Sequence, residues 1–266
     1  MRWQFSAAQW EVLTETLFPG NFGIQVYPAP IEVRTPGGTD VERSRSRAEA
    51  SAELTRLGLL RAGQVEPDLA GALHVLHRPA RWVHSVWGLP TPAGQLVRVV
   101  AGRADTVAVC AVQHPEQPGA TLLEIIPAPD LVAAVIRRLP ANPPGRSPAV
   151  TVPVESIAGR TAKPEPGGVL VTASSARSSA DRAATTAQEI LSRPHTRAGQ
   201  IAVNVRNAAG QAHRSAVLSW RDYPDGRYQF TVSTTPGGPG MLTISPADPR
   251  RLDDGVQRLL AAVQPR

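Results

Sequence analysis

Apolar residues recur along this chain with two periods, and the switches between them divide it into elements. Trp3 and Phe5 alternate with polar neighbours and predict a short strand. Ser6 offers an N-cap, and Trp10, Leu13 and Leu17 recur at helical spacing until Pro19-Gly20 stops them. Phe22, Ile24 and Val26 predict a strand ending at Pro28, and Pro36-Gly37-Gly38 predicts a turn. Thr39 or Asp40 opens a long polar helix with Ala48, Ala52, Leu54 and Leu57 as its weak apolar side. Pro67 and Asp68 open another, carrying Leu69, Leu73 and Leu76 and closed by Pro79.

Four strands are expected next, over Trp82–Trp87, Gln95–Val100, Thr106–Val112 and Thr121–Ile126. Short connections rich in Pro and Gly join them, so they pair as an antiparallel meander. Pro127 and Asp130 begin a helix that ends at Pro140. The Pro- and Gly-rich stretch Asn142–Gly168 holds one short strand, Ala149–Val154. Ser174 and Ser175 cap an Ala-rich helix ending near Pro194. Strands return over Ile201–Val205, Arg214–Trp220, Arg227–Val232 and Met241–Ser245, and a helix from about Pro249 to Val263 closes the chain.

The two strand groups read as copies. Pro127 and Pro246 are 119 residues apart (246 − 127), and the same offset places Trp82, His84 and Val86 on Ile201, Val203 and Val205. It also places Val97 and Val99 on Ala216 and Leu218, Val109 on Tyr228, and Leu123 and Ile125 on Leu242 and Ile244. The expected fold is α+β, a single domain over 1–266. Its centre is an antiparallel β-sheet from two repeated meander-plus-helix halves, about 81–140 and 200–262. The halves are related by quasi-twofold symmetry and flanked by helices. Helical insertions occupy 6–79 and 174–193. Joined edge to edge, each meander would hide the other's exposed edge.

The net charge is +6 and the pI about 10.5. Such a balance raises nucleic acid as a partner. However, Lys163 is the only lysine, so 27 of the 28 basic residues are arginines. With the abundant Ala, Pro and Gly this reads as GC-rich codon usage. The arginines are scattered apart from Arg43, Arg45 and Arg47, and aromatics are only 5%, too few for a stacking groove. One cysteine, Cys110, excludes an intrachain disulfide and a Cys-based zinc site. No apolar run approaches the roughly 18 residues of a membrane span. The segment Met1–Phe5 has no signal-peptide stretch. The expectation is a soluble, cytoplasmic protein without membrane insertion.

Candidate chemistry is sparse. His74 and His77 share a helix face, but no H-E-x-x-H pattern or acidic cluster follows, and both suit ordinary positions near a helix end. His84 lies on a strand between Trp82 and Val86 and reads as a core histidine satisfied by backbone. There is no G-x-S-x-G elbow, phosphate-binding loop or dinucleotide fingerprint. Cys110 reads as a small buried hydrophobe. Asp222, Asp225, Arg221 and Arg227 surround the Asp225-Gly226 turn signal and read as a solvated hairpin tip. No catalytic, metal or cofactor residue is assigned, and the expectation is a non-enzyme.

Short motifs in a constant order carry a resemblance along nearly the whole chain. They are Phe5-Ser6-Ala7-Ala8-Gln9-Trp10-Glu11-Val12-Leu13, Leu57-Gly58-Leu59, Val65-Glu66-Pro67-Asp68-Leu69 and Leu73-His74-Val75-Leu76-His77-Arg78-Pro79. Ile126-Pro127-Ala128-Pro129-Asp130-Leu131, Leu139-Pro140, Val150-Thr151-Val152-Pro153, Gly226-Arg227-Tyr228 and Thr243-Ile244-Ser245-Pro246-Ala247-Asp248 follow. In these the chain resembles the EspG family, cytosolic chaperones of mycobacterial-type ESX (type VII) secretion systems. The resemblance implies a central antiparallel sheet with quasi-twofold symmetry. It also implies a non-enzymatic chaperone that binds the tip of the PPE subunit of a PE–PPE dimer, keeps it soluble and targets it for secretion. The sheet, the loop Gly88–Gly94 and the second half's helices would form the groove. Partner-binding residues expected here are Trp87, Leu89, Pro90, Thr91, Arg98, Arg206 and Arg227, and the free protein is expected as a monomer or weak homodimer. A basic nucleic-acid-binding protein is the alternative.

Overall fold

A computed structural model describes residues 1–20, 26–34, 37–88, 95–158, 179–234 and 238–263. Strand β1 (Arg2–Phe5) leads into helix α1 (Ala7–Leu17). The hydroxyl of Ser6 accepts from the Gln9 N–H, and the Gln9 side chain accepts from the Ser6 N–H, which closes a capping box. Thr39 and Glu42 repeat the device at α2 (Asp40–Arg56). A small hairpin, β2 (Leu60–Arg61) and β3 (Gln64–Val65), precedes α3 (Pro67–His77). The first meander is β4 (Arg81–Gly88), β5 (Leu96–Ala104), β6 (Val107–Gln113) and β7 (Thr121–Ile126). A single 3₁₀ turn and α4 (Leu131–Ile136) follow. Then come β8 (Val150–Pro153), α5 (Glu155–Ala158) and α6 (Ser179–Ser192). The second meander is β9 (Arg197–Arg206), β10 (Ala212–Arg214), β11 (Leu218–Tyr223), β12 (Gly226–Ser233) and β13 (Met241–Pro246), closed by α7 (Pro249–Ala262).

All strands but the β2–β3 hairpin join one sheet in the order β1-β7-β6-β5-β4-β9-β11-β12-β13-β8, with β10 pairing β9. The meanders meet through their first strands, which run antiparallel from Arg81↔Val205 to Gly88↔Ala198. Strands β1 and β8 cover the outer strands of the two halves. The expected strand Arg214–Trp220 is split. Its start pairs with the far end of β9 as β10, and β11 begins at Leu218.

Residues opposite each other in a ladder share a face of the sheet. One face, the front, carries Trp82, Val100, Val109, Ala111 and Leu123, which pack with Trp10, Leu13, Leu69 and Leu73 of α1 and α3. At the far end the same face carries Tyr228, Phe230 and Ile244 under Ala184, Ala187 and Ile190 of α6. The back carries Val83, Val99, Cys110, Ile201, Val203 and Trp220 under α4 and α7.

This register departs from the expected 119-residue offset at the first strand. Trp82 lies opposite Asn204, and Ile201 lies opposite Ser85, so Trp82 and Ile201 point to opposite faces. The gapless offset of 119 keeps the face for the later strands, for instance Val99 and Leu218, but not for the first. A one-residue slip reverses every side chain of a strand. Helix α2 also differs from expectation. It buries Ala50 and Leu54, while Leu57 is 50% exposed. The expected strand Phe22–Val26, the start of the turn at Pro36, and the cap at Ser174-Ser175 lie outside the described residues, apart from Val26.

Candidate partner-binding face

On the front, the helices leave the middle of the sheet open. Helix α3 reaches β5 and β6, and α6 reaches β8. The substantial helix contacts of β4 and β9 are with α4 and α7, on the back. A strip of front-face side chains on β4, β9 and β11 therefore lies between two helical layers, without a substantial helix contact among the described residues. The pairing sets its rows. Leu96, Gly88, Ala198 and Arg221 form one row across β5, β4, β9 and β11. Arg98, Val86, Gln200 and Ser219 form the next. Val100, His84 and Ala202 follow, then Asn204 between Trp82 and Arg214; in these rows Val100, Ala202, Asn204 and Trp82 are buried, so the open part of the strip is its Gly88 end. A cavity at the Gly88 end is lined by Val86, Leu96, Ala198, Gln200, Ser219 and Arg221, with Trp87, Gly199 and Trp220. The strip is thus apolar at one end and polar along its length.

Its groups are held from neighbouring elements. Arg98 forms an ion pair with Glu32 at 3.0 Å. Glu32 is fixed by its backbone: the Glu32 N–H donates to the Gln113 side chain, whose amide donates to the Glu32 carbonyl. Asn204 Nδ2 donates to His84 Nδ1 at 3.0 Å, so His84 is satisfied by a side chain and not by backbone. Burial, with Arg214 nearby, pushes the His84 pKa down to about 4, and the ring is neutral at pH 7. Arg221 lies over the Phe230 ring, 5.4 Å from its centroid.

The residues expected to bind a partner are dispersed. Trp87 and Arg98 both lie near the Gly88 end but on opposite faces, because Trp87 is opposite Val97 and Gly199 and packs with Trp220 on the back. Leu89, Pro90 and Thr91 lie outside the described residues. Arg206 is on the front at the far end of β9, donating to the Gly210 carbonyl and lying over Trp82. Arg227 is buried at 2% exposure on the back. Its Nε and Nη2 donate to the Asp222 carboxylate at 2.7 and 3.0 Å, and its Nη2 also donates to the Pro140 carbonyl at 2.7 Å. Arg227 is therefore part of the interior, and the Asp222–Arg227 pair is not a solvated hairpin tip. Arg221 lies on the front of the sheet opposite Ala198 and not at a hairpin tip, and the sequence carries no expectation for Arg214, Gln200 and Ser219. Their signal was the Asp225-Gly226 turn, which fixes β11 on β12, but the pairing of β11 with β9 had no local signature.

The side chains with candidate chemistry are held in other contacts. Cys110 is fully buried, and burial pushes its thiol pKa up to about 12. His74 Nδ1 meets the Ala70 carbonyl, and His77 Nδ1 meets the Val26 carbonyl while its ring stacks on Phe18. Among the described residues no group of three His, Cys, Asp or Glu is placed to hold a metal ion. None of the described helices is long and apolar enough to cross a membrane.

A family model described as the EspG family matches residues 19–258. The chain belongs to the EspG family. A solved structure of the Mycobacterium tuberculosis type VII secretion system chaperone EspG5, in complex with the PE25–PPE41 dimer, is similar with a TM-score of 0.69. The two chains share 17% identity, over 99% of this chain and 97% of EspG5. At that identity the likeness is one of fold. No curated protein matches the sequence. The mixed α and β architecture with one large antiparallel sheet is thus an EspG-family fold in this chain.

Proposed function

We propose that this EspG-family protein is a cytoplasmic chaperone for type VII secretion that holds the helical end of the PPE subunit of a PE–PPE pair. The observation that supports the reading best is the open front strip, a partly apolar sheet surface between two helical layers, in a chain whose family model spans 19–258. The solved EspG5 relative was captured with a PE–PPE dimer. A secreted helical partner with an apolar end would aggregate unless that end were covered. A strip with apolar anchors at one end and a polar surround covers such an end reversibly. Of the residues first expected, Arg98 lies on this strip, and we retain it, with Leu89, Pro90 and Thr91 of the adjoining connection, as partner-binding. The role asks for no bond making or breaking and no cofactor.

The test is co-expression with PE–PPE pairs of the same genome, followed by affinity capture of the chaperone and size-exclusion chromatography with light scattering. The expected result is an equimolar three-chain complex with one pair. Capture of none of the pairs, together with tight binding of a labelled single-stranded oligonucleotide, would replace the reading by the nucleic-acid alternative. The strip offers that alternative little, because no aromatic side chain stands free on the front of β4, β9 and β11 to stack a base.

A further inference from the structure

The charges on the front strip are of one sign. On the front of β4, β5, β9, β10 and β11, every formally charged side chain is an arginine: Arg98, Arg206, Arg214 and Arg221. The one acidic residue in these strands, Asp222, faces the back and is taken up by Arg227. Arg98 shares with Arg34 the carboxylate of Glu32, which reaches it from outside the sheet, whereas among the described residues Arg214 and Arg221 have no carboxylate within ion-pair distance. Among the described residues the half-buried Arg221 has the Phe230 ring beside it but no carboxylate, and Arg214 is exposed.

We propose that the strip is built for a partner end that carries carboxylates on both flanks of a helical tip, one toward Arg98 and one toward Arg221. The reading rests on the chaperone function above and specifies its partner. Arg98 on β5 and Arg221 on β11 are three strands and one row apart, about 16 Å at the backbone. An α-helix with its side chains is about 10–12 Å across, so one helix end fits between them. Val86, Leu96 and Ala198 lie between the two arginines and would meet the apolar centre of that tip. Gln200 and Ser219 offer neutral hydrogen bonds in the same row, which suits carboxylate and carbonyl acceptors. Glu32 then acts as an internal stand-in: its carboxylate occupies Arg98 until one from the partner displaces it.

The experiment measures binding of the PE–PPE pair that co-purifies with the chaperone, by surface plasmon resonance, to the wild type and to single variants. Arg98→Glu and Arg221→Glu should each raise Kd by about tenfold or more, largely through slower association. Glu32→Gln should lower Kd a few-fold by freeing Arg98, since the backbone bonds of Glu32 to Gln113 do not involve its carboxylate. Arg45→Glu, on the exposed part of α2, should leave Kd unchanged. Arg221→Gln serves as the second variant if the glutamate, placed over Phe230, lowers the melting temperature. Binding of a pair with Kd within twofold of wild type for both charge reversals would overturn the acidic-tip assignment and leave the chaperone reading standing. Failure of every pair to bind the wild type would overturn both.

Discussion

Replacing Asp222 by Ala should destabilise this fold more than almost any other single change to a polar side chain. Asp222 and Arg227 are 1% and 2% exposed. The carboxylate accepts twice from Arg227 and lies 3.6 Å from Arg197. The guanidinium of Arg227 lies over the Trp220 ring, 4.3 Å from its centroid, and donates to the Pro140 carbonyl. Removing the carboxylate leaves a buried cation with one neutral acceptor and an aromatic face. Breaking a buried pair in this way costs about 3–5 kcal/mol. For a chain of this size that lowers the melting temperature by roughly 6–20 °C. Replacing both partners, as Asp222→Leu with Arg227→Met, removes the stranded charge and should recover most of the loss. The residual cost is about 1–3 kcal/mol for the Pro140 carbonyl left without its donor. Urea unfolding followed by circular dichroism measures all three proteins. A loss below about 1 kcal/mol for Asp222→Ala, or a double variant less stable than the single, would refute the account of a buried, mutually dependent pair.

Three further outcomes are expected. Gly145→Ala should lose about 1–3 kcal/mol in the same unfolding assay, because a Cβ there would lie 2.1 Å from the Tyr228 ring. His84 holds a folded pKa of about 4 against an ordinary 6.5, so the unfolded chain binds its proton more tightly. The stability it contributes is present above pH 6.5 and is lost as pH falls toward 4, by at most about 3 kcal/mol. His84→Gln should flatten that part of the stability–pH curve, and an unchanged slope would show that other groups set it. Cys110, buried with its pKa pushed up to about 12, should not react with a thiol reagent in the native protein and should react fully once it is unfolded in urea.

Local order in this protein is written locally. The caps at Ser6 and Thr39, the proline at the start of α3 and the alternation in each strand all lie within a few residues of the structure they produce. The two strand groups and the helix that follows each were legible from spacing, because a strand's period and its turn residues lie within the strand and its connections. The antiparallel junction of β4 with β9 was one of few arrangements that leave no meander edge bare. What the sequence did not determine depends on parity and on coverage. Trp82 and Ile201 are matched by the 119-residue offset yet face opposite ways, because the face of a strand depends on the residue count of its connections and not on its composition. Arg98, Arg221 and Arg227 look alike in a one-dimensional pattern. Only the register puts the first two on the open front and the third in the interior against Asp222. The strip itself exists because α3 and α6 settle over opposite ends of the sheet front while α4 and α7 take the back. That outcome is fixed by packing between elements far apart in sequence, where no local period can record it.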